Sequence, residues 1–86
     1  MSQQTQFGFE DLKRILVDRV GLNEEDVRDE PGLTVEDMGL DSLAFVEVQL
    51  AMEQEYGFTV ADEDAENIHN VGEAIAYVNR RIAEQS

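Results

Sequence analysis

The sequence predicts an all-α four-helix bundle with three longer helices, one short third helix and a long first loop. Three observations carry this. Apolar residues recur at three-to-four spacing in three separate segments, the period of a helix with one face on a core. Glycines stand where the first two segments stop, at Gly21 and Gly57. The one stretch of β character, "FTV" at residues 58–60, is too short and too solitary for a sheet.

A first helix is expected over residues 8–20, where Leu12, Ile15, Leu16, Arg19 and Val20 form a stripe and Gly21 supplies a left-handed cap. Residues 22–40 carry Pro31, Gly32 and Gly39 among scattered Leu22, Val27, Leu33, Val35 and Met38. That pattern is too regular for disorder and too irregular for a helix, so it reads as a long ordered loop pinned to the core at intervals, with a short turn at "NEED". Connections of this length are commonly functional.

The second helix, opened by Asp41 or Ser42, is expected to run to Tyr56 and stop at Gly57. Phe45, Val48, Met52 and Tyr56 make its core stripe. Leu43, Val46 and Leu50 form a second stripe rotated away from the first and interleaved with Glu47 and Glu53. Two readings stay open: both stripes are buried, or the second is an apolar patch rimmed by carboxylates, a pattern suited to docking. A short third helix is expected over residues 62–68, capped by Asp62, with acids in the first turn where the dipole favours them. The last helix, over residues 71–83, aligns Val71, Ala74, Ile75, Val78 and Ile82, with Arg80 and Arg81 near its favourable C-terminal end. With no repeat or internal linker, residues 1–86 read as one domain with a folded core of about residues 7–83.

A domain of 86 residues buries only about 60 to 65% of its unfolded surface, too little depth for a layered active site. It has no cysteine, hence no disulfide and no thiolate nucleophile. No apolar run reaches the roughly 18 residues of a membrane span, and "MSQQTQFGFEDL" lacks the features of a signal peptide, so a soluble cytoplasmic protein is expected. Twenty acidic residues face six basic ones, and residues 29–79 hold thirteen Asp or Glu without one Lys or Arg. Such a surface repels phosphate backbones and anionic lipids, which argues against nucleic acid and membrane and for basic protein surfaces as partners. The plain alternative is that the charge keeps a small monomer soluble.

Catalytic and metal chemistry find no convincing residue set. His69 is the only histidine and reads as a turn residue. "GLDSL" lacks the second glycine of a hydrolase elbow. Asp62, Asp64, Glu66 and Glu73 fall at the first, third, fifth and twelfth places of a calcium loop, but Asn67 stands where glycine makes the sharp turn and His69 where an apolar residue is usual. No metal site is expected.

Ser42 is then the residue to explain. A serine at a helix start is ordinarily a cap accepting a backbone hydrogen bond. The alternative is an exposed attachment point: the positive end of the helix stabilises a phosphodiester on its oxygen, while Asp41 takes over capping. Both readings stand on physical grounds.

The segment "MGLDSLAFVEVQLAMEQEYGFTVADEDAENIHNVGEAIAYVN", with "ILVDRVGL" of the first helix, resembles the acyl carrier proteins over residues 9–82. Their hallmark triplet is Asp41, Ser42, Leu43 here. The resemblance implies an acyl-carrier-like bundle that catalyses nothing. It implies that a phosphopantetheinyl transferase moves 4′-phosphopantetheine from coenzyme A onto Ser42, and that the arm's thiol carries acyl or ketide groups as thioesters. Glu47 and Glu53 fall on acidic docking positions of the family, Leu43, Val46 and Leu50 on its apolar docking face, and Gln54 replaces a third acid. Phe45, Val48, Met52, Ile68 and Ile75 become candidates to line an acyl cleft, core packing being the other reading of each. Implied partners are a malonyl or acyl transferase, a ketosynthase, and a ketoreductase or other tailoring enzymes.

On pathway, "DEDAENI" is similar to discrete fatty-acid carriers, whereas Ala44 after Leu43, with "DSLAF" and "EYG", is more similar to discrete carriers of bacterial polyketide assembly. Ala61 and Met38 depart from a proline and a leucine common in the family. A type II polyketide carrier is the expectation, with a fatty-acid carrier and a noncatalytic acidic or calcium-responsive interaction module as alternatives.

Overall fold

The computed structural model describes residues 7–85. Helix α1 is Phe9–Arg14, continued without a break by a wider i→i+5 turn over Ile15–Val20. A 3₁₀ turn at Glu24–Asp26 follows. Helix α2 is Ser42–Tyr56, α3 is Asp62–Glu66 and α4 is Val71–Gln85. Among the described residues there is no strand, and no helix is long and apolar enough to cross a membrane.

Local chemistry accounts for the boundaries. Gly8 precedes α1, its N–H bound by the Asp11 carboxylate at 2.9 Å. Gly21 and Gly57 end their helices at φ 92° and 82°, a left-handed conformation costly for any residue with a Cβ. Adjacent Ile15 and Leu16 are both buried, and the widened turn brings both toward the core. Arg19, placed by its spacing on the apolar stripe, is exposed and reaches Glu55 at 2.8 Å and Gln54 at 2.9 Å instead.

Phe7, Leu12, Ile15, Leu16, Val48, Met52, Phe58, Val71 and Val78 form the centre of the core. The long loop joins it through Val27, Leu33 and Met38, as its scattered apolar residues require. Backbone bonds then sew the loop to the start of α4: Val71 N–H to Leu33 O at 2.9 Å, Gly72 N–H to Pro31 O at 2.9 Å and Val35 N–H to His69 O at 3.1 Å. His69 is exposed and lies 3.3 Å from Glu73, consistent with a turn residue.

Three local expectations are corrected. The short helix stops at Glu66 rather than residue 68, and Ala61, not Asp62, holds its cap position, so Asp62 is its first helical residue. Asn70 caps α4 through its side-chain oxygen, 2.8 Å from Glu73 N–H, and that helix continues to Gln85. Arg81 does not serve the helix end. Its guanidinium turns back over the Phe58 and Tyr77 rings and donates to Thr59 O at 2.7 Å.

Candidate functional site

The start of α2 is organised by Asp41. Its carboxylate accepts the Ala44 N–H at 2.8 Å, and its carbonyl accepts Phe45 N–H at 2.9 Å. Ser42 is therefore the first helical residue and not the cap. It is exposed, and among the described residues its hydroxyl has no hydrogen-bond partner. The Ser42 and Leu43 N–H groups likewise have none, so the positive helix end faces outward beside a free hydroxyl. No acidic residue lies within the first turn itself. An exposed hydroxyl, free N–H groups and a helix capped by its neighbour together fit a phosphodiester-linked group.

Along α2 the two stripes separate. Val48, Ala51 and Met52 are buried, while Leu43, Val46 and Leu50 are 70%, 47% and 50% exposed. Three large apolar side chains on one helix face, in a chain this polar, form a patch that water covers poorly. Of the acids on α2, Glu47 is exposed and has no ion-pair partner among the described residues. Glu53 is half-buried and accepts the Val60 N–H at 2.7 Å. Glu55 is held by Arg14 and Arg19, each at 2.8 Å. The hydrogen bond and charge of Arg14 keep its carboxyl below the usual glutamate value, against the opposing effect of burial.

Behind the patch lies an apolar cleft lined by Leu12, Leu16, Phe45, Val48, Met52 and Ile68, among others. Its free volume is about 30 Å³, room for little more than water. Four of the five side chains expected there are present. Ile75 is not: Val71, Ala74 and Tyr77 supply the α4 wall, and Ile75, on the other edge of that helix, packs half-buried against the core. The loop residues Met38 and Leu40 also line the cleft, and so do Val60 and Tyr77. None of these four was expected there, and for Met38 and Leu40 the position just before Ser42 is the signal that points to them. Val60 and Tyr77 lie on other segments and carry no comparable signal.

Tyr77 fixes the far wall. Its O–H donates to Asp64 at 3.0 Å and its oxygen accepts from Arg81 at 2.8 Å. Burial pushes the phenol up, and the Arg81 hydrogen bond pulls the other way. Among the described residues no cluster of His, Cys, Asp or Glu is arranged to hold a metal ion.

The phosphopantetheine attachment site family matches residues 10–78. An acyl carrier protein of Wolinella succinogenes is 39% identical over 70 residues, spanning 81% of this chain and 91% of that protein. One from Nitratidesulfovibrio vulgaris is 42% identical over 72 residues, spanning 84% and 93%. Among solved structures, the 3,5-dioxohexyl acyl carrier protein of the actinorhodin polyketide synthase of Streptomyces coelicolor superposes with a TM-score of 0.81 at 30% identity, over 98% of this chain and 100% of that one. The acetyl form of the same carrier gives a TM-score of 0.81 at 32% identity, over 95% and 98%. Their cofactor, covalently bound 4′-phosphopantetheine, matches the chemistry open at the start of α2, and with it this chain belongs to the acyl carrier protein family, whose members carry and do not catalyse.

Proposed function

We propose that this chain tethers acyl or ketide intermediates on 4′-phosphopantetheine at Ser42 and presents them to the enzymes of a type II polyketide assembly. The observation that carries the assignment is the free Ser42 hydroxyl at a helix start already capped by Asp41. Once bound, the arm supplies a terminal thiol that holds acyl groups as thioesters. The chain's own residues do the rest. The free Ser42 and Leu43 N–H groups at the start of α2 would hold the arm's phosphate. Leu43, Val46 and Leu50, with exposed Glu47, offer an apolar face with a carboxylate to basic enzyme surfaces, an arrangement that favours fast, brief encounters. Phe45, Val48, Met52 and Ile68 offer an apolar shelter that must widen to admit a chain.

The polyketide assignment is supported by Ala44 after the triplet and by similarity to carriers of a polyketide synthase. The partners it implies are a phosphopantetheinyl transferase, a malonyl or acyl transferase, a ketosynthase, and a ketoreductase or other tailoring enzymes.

The first test is intact-protein mass after incubation with coenzyme A and a broad-specificity phosphopantetheinyl transferase, beside Ser42→Ala. One addition to wild type and none to the variant is expected. An addition that persists in folded Ser42→Ala overturns the residue assignment. Chain extension with polyketide and fatty-acid ketosynthases in parallel tests the pathway: faster turnover with the fatty-acid enzyme favours a fatty-acid carrier.

A further inference from the structure

The exposed stripe of Leu43, Val46 and Leu50 is continued along α2 by Gln54, one helical turn beyond Leu50 and on the same face. Gln54 is exposed, yet its side-chain oxygen is taken: it accepts from the Arg19 guanidinium at 2.9 Å. The same guanidinium lies 2.8 Å from the Glu55 carboxylate, and so does that of Arg14. Two cations therefore share one carboxylate, beside the neutral amide that stands in place of a third acid. Glu53, the remaining acid of this turn, is occupied by the Val60 N–H.

The face is thus bipolar. At its first turns Glu47 is exposed and has no ion-pair partner among the described residues. At its last turn the surplus charge is positive, a local reversal in a chain of net charge −14. A rise of 1.5 Å per residue puts the two ends about 10 Å apart along the helix. Arg19 is 39% exposed and spends only two of its N–H groups, one on Glu55 and one on Gln54, so donors remain for a carboxylate from outside. A surface that is basic throughout, laid along α2, is attracted at Glu47 and repelled at Arg19. One that carries a base and an acid at matching places is attracted at both, and in one direction along the helix only.

We propose that Arg19, although it lies outside α2, is a specificity-determining residue of the docking face: it selects partner enzymes whose contact surface holds an Asp or Glu about 10 Å from the Lys or Arg that meets Glu47, and it disfavours enzymes that are basic along the whole contact. The repulsion of the wrong surface contributes to the selection along with the attraction of the right one. The proposal rests on the carrier reading and names the partner chemistry that this reading leaves open.

The test is the sign of a charge change. Arg19→Gln makes the chain one unit more negative, which speeds docking on a surface basic throughout and slows it on one with an acid opposite Arg19. Phosphopantetheine-loaded wild type, Arg19→Gln, Arg19→Lys and Arg28→Gln are given to a type II polyketide ketosynthase that extends the wild-type chain, at a temperature where circular dichroism shows all four folded. At low salt Arg19→Gln is expected to lower kcat/KM about fivefold, the gap narrowing as salt rises. Arg19→Lys keeps the charge and is expected to stay within about twofold of wild type. Arg28→Gln makes the same charge change on the long loop, where Arg28 pairs with Glu30 at 3.1 Å, and is expected to cause no loss. Unchanged or faster extension with Arg19→Gln, or an equal loss in Arg19→Lys or Arg28→Gln, overturns the selection. Sedimentation of the loaded chain alone supplies a further check: a dimer that Arg19→Gln dissolves gives the positive end to a second acidic copy of this chain and also overturns it. Intact mass after loading from coenzyme A is read separately, so one addition to each form leaves the carrier reading standing where the selection fails.

Discussion

The Asp41 carboxylate, 2.8 Å from the Ala44 N–H, does the capping that Ser42 would otherwise do. Structure and loading are thereby divided between two adjacent residues. Asp41→Ala is expected to lower stability by about 1 kcal/mol, the usual loss for an N-cap. Ser42→Ala is expected to change it by less than about 0.5 kcal/mol, as for a surface position outside any network. Chemical denaturation of both variants checks the division, and a large loss in Ser42→Ala contradicts it.

Exposed Glu47 is expected to act on encounter, not on attachment chemistry. Glu47→Lys should reduce kcat/KM with the phosphopantetheinyl transferase about tenfold at low salt, with the gap narrowing as salt screens the charge. Kinetics at two ionic strengths decide this, and a gap that ignores salt assigns the effect to something other than charge.

Asn79 joins residues 72 positions apart by accepting the Phe7 N–H at 2.7 Å and donating to the Phe7 carbonyl at 2.8 Å. Asn79→Leu leaves both backbone groups without this partner. A loss of about 1 to 3 kcal/mol is expected, with earlier exchange of the Phe7 amide as its local sign.

Gly72 packs where no Cβ fits without displacement. A methyl there would lie 3.2 Å from both the Cβ and the carbonyl oxygen of Pro31. Gly72→Ala therefore trades a helix-propensity gain for a clash at the seam between loop and α4. A net loss of about 1 kcal/mol is expected, and a stabilised variant in thermal unfolding would show that the seam yields.

Glu55 gives a signed pH prediction. Its folded pKa is lowered, first by the hydrogen bond from Arg14. Its contribution is thus present above the ordinary glutamate value of about 4.3 and is lost as pH falls through the folded value. The stability gap between wild type and Glu55→Gln, expected to be about 0.5 to 1 kcal/mol at neutral pH, should close as the pH falls from above the ordinary glutamate value to below the lowered folded one. A gap constant across that range shows that the Arg14 and Arg19 pairs add nothing.

The helices are legible because periodic burial and glycine stops act locally: α2 is expected from Asp41 or Ser42 to Tyr56 and observed at Ser42–Tyr56. The exposed stripe of Leu43, Val46 and Leu50 is legible as a stripe, but its exposure is not, since burial depends on what packs opposite. Other features depend on distant partners. Arg19 falls on an apolar period, and only the approach of Glu55 explains its outward turn. Arg81 sits where a dipole argument applies, yet two aromatic rings and the Thr59 carbonyl claim it. Ile75 shares the period of Val71 and Val78, and a difference of facing within α4 removes it from the cleft.

The edge-on contact of Phe7 with Tyr56, ring centroids 5.4 Å apart, and the Gln85 amide bound to the Tyr56 carbonyl at 3.0 Å gather both ends of the described chain at one residue. Tyr56 closes α2 and Ser42 opens it, so a rise of 1.5 Å per residue puts about 21 Å between them. An affinity tag, a surface tether or a fused neighbour joined directly at Phe7 or Gln85 starts a helix length away from the serine. Immobilised or concatenated copies should keep their loading end clear for any enzyme that visits.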